Sequence, residues 1–249
     1  MFRLGFFDDL NMTRITPIRP FSENNAMRMP VHDNSAVTLV GGGVLAPEDL
    51  DMALGIAPRL IAADGGANQT MALGYRPEQV IGDLDSLDPS LRAALGRRVV
   101  HVPEQDSTDL DKCLARIEAP FVLALGFDGA RLDHTLAAMT AITRHGRARV
   151  LMIAAADIVF LAPPQLRLQL AIGERVSLFP MGPVSGRSTG LHWPIDGIRF
   201  TPEALVGTSN RADDTQVTVE CNRPAMLVML ERTHLHMALQ ALLTAQDWR

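Results

Sequence analysis

Between residues 36 and 153 short β-rich runs alternate with helix-like ones, and that alternation restricts the chain to a parallel sheet covered by helices on both faces. Strands are predicted at 36–40, 59–63, 78–82, 97–102, 121–125 and 148–153. Helices are predicted at 48–56, from the Asp64 turn to Leu73, and at 89–95, 107–117 and 131–145, with Pro47 placed where a first helical turn tolerates proline. Near Ala162-Pro163-Pro164 the texture changes. Short strands at 165–170, 175–179, 216–220 and 225–230, separated by turn residues, predict a small antiparallel sandwich or barrel. Leu235, Leu239 and Leu242 share one face of a final helical segment running from Thr233 to Trp248. The expected class is therefore α/β: an N-terminal parallel sheet flanked by helices, then a smaller antiparallel β-sandwich. The expected division is an irregular extension over 1–35, an α/β unit over 36–162 and a β-sandwich unit with a helical tail over 163–249.

Composition narrows the partners. The chain has 249 residues, 47% hydrophobic and 20% charged, with a net charge of -5, so it offers no basic field to attract nucleic acid. Cys113 and Cys221 lie far apart without metal-ligand spacing, which points away from a zinc or disulfide framework and toward a reducing cytoplasm. The first 35 residues carry Pro17, Pro20, Pro30 and no sustained period, as expected of an irregular extension, and Met12, Met27 and Met29 are alternative starts. Phe2 to Leu10 is interrupted by Arg3, Gly5, Asp8 and Asp9, so it makes a poor secretory signal. No stretch approaches the ~18 apolar residues of a membrane span.

Chemistry-bearing residues gather just after the predicted strands, the edge at which open α/β sheets place their ligands. Gly41-Gly42-Gly43 follows the first strand and lets backbone N–H groups approach a phosphate. Asp64-Gly65-Gly66 follows the second, where Asp64 is either a helix cap or part of a phosphate or metal site. Gly82-Asp83-Leu84-Asp85-Ser86 follows the third. Asp83 and Asp85 repel one another unless a cation neutralises them, and oxygen ligands of this kind suit Mg2+ held with substrate phosphates. Taken alone, the run to Asp88 is equally an Asp-rich turn capping the helix at Pro89. Gln105, Ser107, Thr108, Asp109 and Lys112 follow the fourth strand. Ser107 or Thr108 is suited to cap the helix there, while Asp109 and Lys112, three apart, share one face. Arg131, Asp133 and His134 follow the fifth. Arg131 suits bidentate phosphate binding with Asp133 orienting it, and His134 is read as a helix-face histidine ahead of a general base.

In order, Ala63-Asp-Gly-Gly-Ala-Asn68, Gly82-Asp-Leu-Asp-Ser86, Gln105-Asp-Ser-Thr-Asp109 with Lys112, and Gly129-Ala-Arg-Leu-Asp-His134 resemble the thiamine pyrophosphokinase (thiamine diphosphokinase) family. The resemblance runs from Val37 to Leu230 and reaches the second unit, where Gly190-Leu-His-Trp193 and Thr208-Ser-Asn210 look like the family's thiamine-binding segments. It implies a Rossmann-like nucleotide-binding unit, and a homodimer with thiamine held between protomers. The implied reaction is attack of the thiamine hydroxyl on the β-phosphorus of Mg-ATP, with AMP leaving. By matching position, Asp83, Asp85 and Asp109 would manage Mg2+ with Asp64 nearby, and those three with Arg131 would form the catalytic set. Asp64, Gly65, Gln105, Thr108, Lys112 and Asp133 would hold ATP, and Trp193, Ser209 and Asn210 thiamine. An indole face attracts a thiazolium cation, which suits Trp193.

Two positions depart from the family pattern: Ala130, often Gly, and Ala138, often Asn. The rival readings are a pyrophosphokinase of the same architecture acting on another alcohol such as a hydroxymethylpterin, and a non-catalytic thiamine or nucleotide sensor. The Trp193 and Ser209-Asn210 segments disfavour the first, and the full acidic set disfavours the second. A Rossmann dehydrogenase is disfavoured because Gly41-Gly42-Gly43 is not GxGxxG.

Overall fold

The computed structural model describes residues 35–129 and 131–248. The expected extension over 1–35 falls, except for Ser35, outside the described residues, as does Ala130. The parallel half forms as expected, from β1 (Val37–Val40), β2 (Arg59–Ala63), β3 (Gln79–Gly82), β4 (Val99–His101), β5 (Val122–Leu125) and β6 (Val150–Ile153). The helices are α1 (Pro47–Ile56), α2 (Gly66–Ala72), α3 (Pro89–Leu95), α4 (Asp109–Leu114) and α5 (Leu132–Arg144). β1, β2 and β5 are buried almost throughout, which is why they read as mainly apolar runs and not as alternations; the one polar residue inside β1, Thr38, donates from its Oγ1 to Ala57 O at 2.6 Å.

β1 pairs in parallel with β2 on one side and with β5 on the other. The chain runs outward through β2, β3 and β4, then returns across β1 to start β5, creating a switch point between β1 and β5. The two loops leaving these strands interlock there. Gly41 N–H donates to Leu125 O at 2.8 Å and Gly43 N–H to Gly126 O at 2.7 Å. A Cβ on Gly41 would lie 2.6 Å from Gly126 O, and one on Gly43 2.5 Å from Asp128 O, so no side chain fits at either position.

The second half adds β7 (Asp157–Leu161), β8 (Gln165–Gln169), β9 (Arg175–Pro180), β10 (Val184–Thr189), β11 (Arg199–Phe200), β12 (Gly207–Arg211), β13 (Gln216–Cys221) and β14 (Met226–Glu231), then α6 (Leu235–Thr244). Four of these strands extend the first sheet instead of standing apart from it. Its order is β12-β9-β14-β7-β6-β5-β1-β2-β3-β4, the added strands pairing antiparallel. The second sheet, β11-β10-β13-β8, packs over this extension. One apolar core fills the gap, with Phe160, Val176, Leu178 and Val228 on one side and Leu166, Leu168, Val217 and Val219 on the other. α6 closes it with Leu235, Ala238, Leu239 and Leu242. The antiparallel sandwich expected from sequence is thus built by sharing the first sheet.

Candidate active site

The strand-end loops surround one cleft of about 850 Å³. It is lined by Gly41–Val44, by Asp64, Gly65, Asn68 and Gln69, by Asp83 and Ser86, by Ser107–Leu110 and Lys112, and by Gly126–Asp128, Arg131, His134, Ala137 and Ala138. Each loop is fixed locally. Gln69 Nε2 donates to Gly43 O at 2.5 Å, Asn68 Nδ2 donates to Ser86 O at 2.8 Å, and Asn68 Oδ1 accepts from Asp88 N–H at 3.0 Å. Asn68 and Gln69, on the first turns of α2, therefore hold the glycine loop and the acidic loop in place. Sequence reasoning gave neither a role; their spacing after Asp64-Gly65-Gly66 was the available signal.

At the floor stand three carboxylates. Asp64, Asp83 and Asp109 each present an oxygen within 4.8 Å of the other two. Asp64 and Asp83 come together because β2 and β3 pair with Ala63 opposite Ile81, so both acids emerge on the same sheet edge. Gly82 makes the approach possible: a Cβ there would lie 2.8 Å from Asp64 Cβ and 3.0 Å from Asp109 Oδ1. Lys112 enters from α4 almost fully buried, 2.8 Å from Asp83 and 3.2 Å from Asp109, while Gln105 Nε2 donates to Asp83 at 3.1 Å. The hydrogen bond from Lys112 holds Asp83 below the usual carboxylate range, whereas burial pushes Asp109 up despite Lys112. Burial alone would depress Lys112, but its bonds to Asp83 and Asp109 raise it, so the ammonium stays charged.

Asp64 is the acid that the protein leaves unfinished. It is 3% exposed and sits at φ 42°, a left-handed conformation that a non-glycine residue adopts only under local constraint. Its Oδ2 accepts from Ser86 N–H at 3.1 Å, yet its Oδ1 is buried with no hydrogen-bond partner. It is not the cap of α2, whose N-cap position is Gly65 without a side-chain cap. A buried, unpaired carboxylate oxygen beside two further carboxylates fits a divalent cation with oxygen ligands, and Asp64, Asp83 and Asp109 are the residues placed to hold one.

Burial, aided by the nearby Asp109 and Asp85, pushes the Asp64 carboxyl up to about 6. The folded form therefore holds its proton more tightly than the unfolded chain, whose carboxyl sits near 3.8, and the metal-free protein loses stability as pH rises between those values. A ligating carboxyl must be ionised, so if Asp64 helps to hold a divalent cation such as Mg2+, affinity is expected to fall as pH drops through about 6 and uptake near that pH to expel a proton. Calorimetric titration in two buffers of different ionisation enthalpy reads the proton count; uptake without proton release at pH 6 would remove Asp64 from the ligand set.

The remaining expected residues take distinct places. Asp85 is exposed beside Asp64, its Oδ1 accepting from Ser86 Oγ at 2.9 Å, and it lies outside the three-carboxylate group. Thr108 lines the cleft and caps α4 in a reciprocal box: its Oγ1 accepts from Asp111 N–H while its own N–H donates to Asp111 Oδ2. Arg131 also lines the cleft, with its guanidinium solvent-exposed and paired with Asp133 at 2.6 Å. His134 is on the lining as well. Asp88, the last acid of the acidic loop, does cap α3, accepting from Ser90 N–H at 2.7 Å.

Trp193, Ser209 and Asn210 assemble elsewhere. Asn210 is buried, and its amide clasps Trp193 through both backbone groups, accepting from the N–H at 3.2 Å and donating to the carbonyl at 2.7 Å. Ser209, at φ 61°, donates its N–H to Ser177 Oγ at 3.0 Å. Trp193 is 54% exposed. None of these residues lines the cleft. β12, which carries Ser209 and Asn210, is eight strands from β3, roughly 40 Å across the sheet.

Comparison with known proteins places both halves together. Residues 52–153 match the model of the thiamin pyrophosphokinase catalytic domain, and residues 165–226 that of the thiamin pyrophosphokinase vitamin B1 binding domain, together well over half of the chain. Thiamine pyrophosphokinase 3 of Oryza sativa subsp. japonica is 28% identical over 222 residues, covering 72% of this chain and 83% of that protein. Thiamine pyrophosphokinase 1 of Arabidopsis thaliana is 28% identical over 195 residues, covering 64% and 73%. The fold is shared with thiamin pyrophosphokinase from Candida albicans, at a TM-score of 0.66 and 18% identity over 80% of this chain and 89% of that one. The yeast enzyme gives 0.63 and 17% over 86% and 90%. With both models matched in order and the acidic loops gathered on one cleft, the chain belongs to the thiamine pyrophosphokinase family.

Proposed function

We propose that this protein is a thiamine pyrophosphokinase that moves the pyrophosphoryl group of ATP to the hydroxyl of thiamine, giving thiamine diphosphate and AMP. The observation that carries the reading is the convergence of Asp64, Asp83 and Asp109 with buried Lys112 on one cleft beside the glycine loops. In the reaction the thiamine hydroxyl gives up its proton to water and its oxygen forms a bond to the β-phosphorus. The bond from that phosphorus to the oxygen bridging the α-phosphate breaks, and the oxygen leaves with AMP. Such a transfer depends on alignment and charge neutralisation more than on covalent help.

The residues of the chain divide that work. In the Gly41–Val44 loop the N–H groups of Gly41 and Gly43 are spent on the β5 loop, so the Gly42 and Val44 N–H groups, with the Gly65 loop, are the ones suited to the nucleotide phosphates. Lys112 supplies a fixed positive charge, which Asp83 and Asp109 keep protonated. Arg131, lightly held at the surface by Asp133, is free to turn onto a phosphate. Mg2+ bound by the three carboxylates would neutralise the polyphosphate. Residues 36–162 would then be the nucleotide unit and 163–249 the thiamine unit, with Trp193, Ser209 and Asn210 presenting the thiamine platform.

Because that platform is remote from the cleft of its own chain, we read the enzyme as a homodimer in which each cleft meets the platform of the other copy. Among the described residues no helix is long and apolar enough to cross a membrane, and the free, buried Cys113 and Cys221 accord with a reducing cytoplasm.

Incubation with Mg-ATP and thiamine, followed by separation of the nucleotides, tests the reading. AMP formed with thiamine diphosphate is the expected result; ADP, or no thiamine-dependent turnover, would sink it. Trp193→Ala is expected to raise the thiamine KM by roughly 2- to 30-fold, the range of a cation–π contact, with the ATP KM unmoved. An unchanged thiamine KM would take Trp193 out of the platform.

A further inference from the structure

Trp193 already carries a cation. Arg211 Cζ lies 5.5 Å from the centroid of its ring, and the arrangement is built, not incidental. Arg211 is the last residue of β12, and Asn210 Oδ1 accepts both the Trp193 N–H at 3.2 Å and the Arg211 N–H at 2.9 Å, fixing the two backbones to one amide. The guanidinium is then aimed by His192, whose Nε2 lies 3.3 Å from Arg211 Nη2 and whose Nδ1 lies 3.3 Å from Asp213 Oδ1. To accept from Arg211 the imidazole must be neutral with its proton on Nδ1, the tautomer that also lets it donate to Asp213. His192 completes the frame by setting its ring edge-on to Trp193, 4.5 Å between centroids at 88°.

Resting on the reading of Trp193 as the thiamine platform, we propose that Arg211 is an internal competitor of thiamine: its guanidinium lies over the indole that the thiazolium ring would take, so the two cations exclude one another there. Two unit cations on one indole weaken each other. On the same face they exclude each other sterically, and on opposite faces they repel across the ring and draw on the same electron density. The contact is a surface one, held by an imidazole and a π-face, so it is weak enough to exchange. Its effect is to set the affinity of the platform below what the bare tryptophan would give, and to make binding specific for a ligand cationic enough to replace a guanidinium. Arg211 is thus a specificity-determining residue and not a catalytic one.

Thiamine titrated calorimetrically into the full-length chain tests this. Arg211→Gln is expected to tighten the thiamine Kd by roughly 2- to 30-fold, the reach of an exposed to partly desolvated cation–π contact. Arg211→Lys keeps the charge without the planar fork that His192 holds, so it tightens binding less. An Arg211→Gln chain that binds thiamine as the wild type does, or more weakly, while Trp193→Ala still loses affinity, overturns the proposal and leaves the platform standing. A fall in kcat with Kd unchanged overturns it too, since Arg211 would then be gripping phosphate. If Trp193→Ala leaves thiamine binding unchanged, the platform reading falls and this proposal falls with it.

Discussion

Asp83→Asn is expected to lower thiamine diphosphate formation by roughly 10²- to 10³-fold while the chain stays folded, the scale of losing one preorganised charge contact at a transferring group. Asp83 joins two systems at once. It is one of three carboxylates within 4.8 Å of each other, and it pairs with Lys112 at 2.8 Å. The amide removes one negative charge from the cation site and leaves Lys112 with Asp109 alone, at 3.2 Å. That remaining pair keeps the buried ammonium compensated, so the expected stability loss is about 1–3 kcal/mol and not collapse. Turnover measured with circular dichroism on the same sample separates the two effects. Activity close to wild type would mean that the charge and metal role is misassigned. Asp85→Asn in parallel divides the acidic loop: a loss as large as that of Asp83→Asn would add Asp85 to the metal ligands, and a smaller one would leave Asp64, Asp83 and Asp109 as the set.

The parallel half was legible from sequence because its signals are local. Short, mainly apolar runs such as Val37–Val40 and Arg59–Ala63, each followed by glycines or acids, state both the strand and its functional end. Within the acidic loop local rules went only part of the way. Asp88 and Asp83 look alike on paper, yet Asp88 caps α3 and Asp83 faces Lys112; the difference lies in α4, which folds over β3 from a distant part of the sequence. Asp64 was the least legible. Nothing in the local sequence marks its unpaired Oδ1 or left-handed backbone, and the groups packed against it, Gly82 at the end of β3 and Ser86 in the loop beyond, come from another part of the chain.

In the second half, β10 and β12 went unread because Val184–Thr189 and Gly207–Arg211 are mostly polar and only partly buried, without the apolar alternation that marks a strand. β7 was missed for the opposite reason: Asp157–Leu161 is buried and follows β6 so closely that no turn composition separates the two. That β7 continues the first sheet antiparallel is a pairing decision made in three dimensions, and no local pattern encodes it.

That pairing decision governs the last expectation. By extending the first sheet through β7, β14 and β9 to β12, the fold carries Asn210 and the Trp193 platform eight strands from β3. If thiamine is held between two copies as proposed, a cleft and a platform on one chain serve different sites, and two defective chains should repair each other. Trp193→Lys destroys the platform more thoroughly than alanine does, since it removes the π-face and places a second cation beside Arg211, for an expected loss in thiamine kcat/KM of roughly 10²-fold. Asp83→Asn destroys the cleft. In a hybrid dimer of the two, one site combines both defects, while the other joins the intact cleft of the Trp193→Lys chain to the intact platform of the Asp83→Asn chain. Co-expression with two affinity tags and sequential purification isolates the hybrid, whose kcat/KM for thiamine is expected at about half of wild type, because one of the two symmetric sites is whole. If cleft and platform served each other within a single chain, every site in the hybrid would carry one lesion. Its activity would then stay at the mean of the two parent variants, a result that would sink the shared-site reading while leaving the assigned chemistry of each half intact.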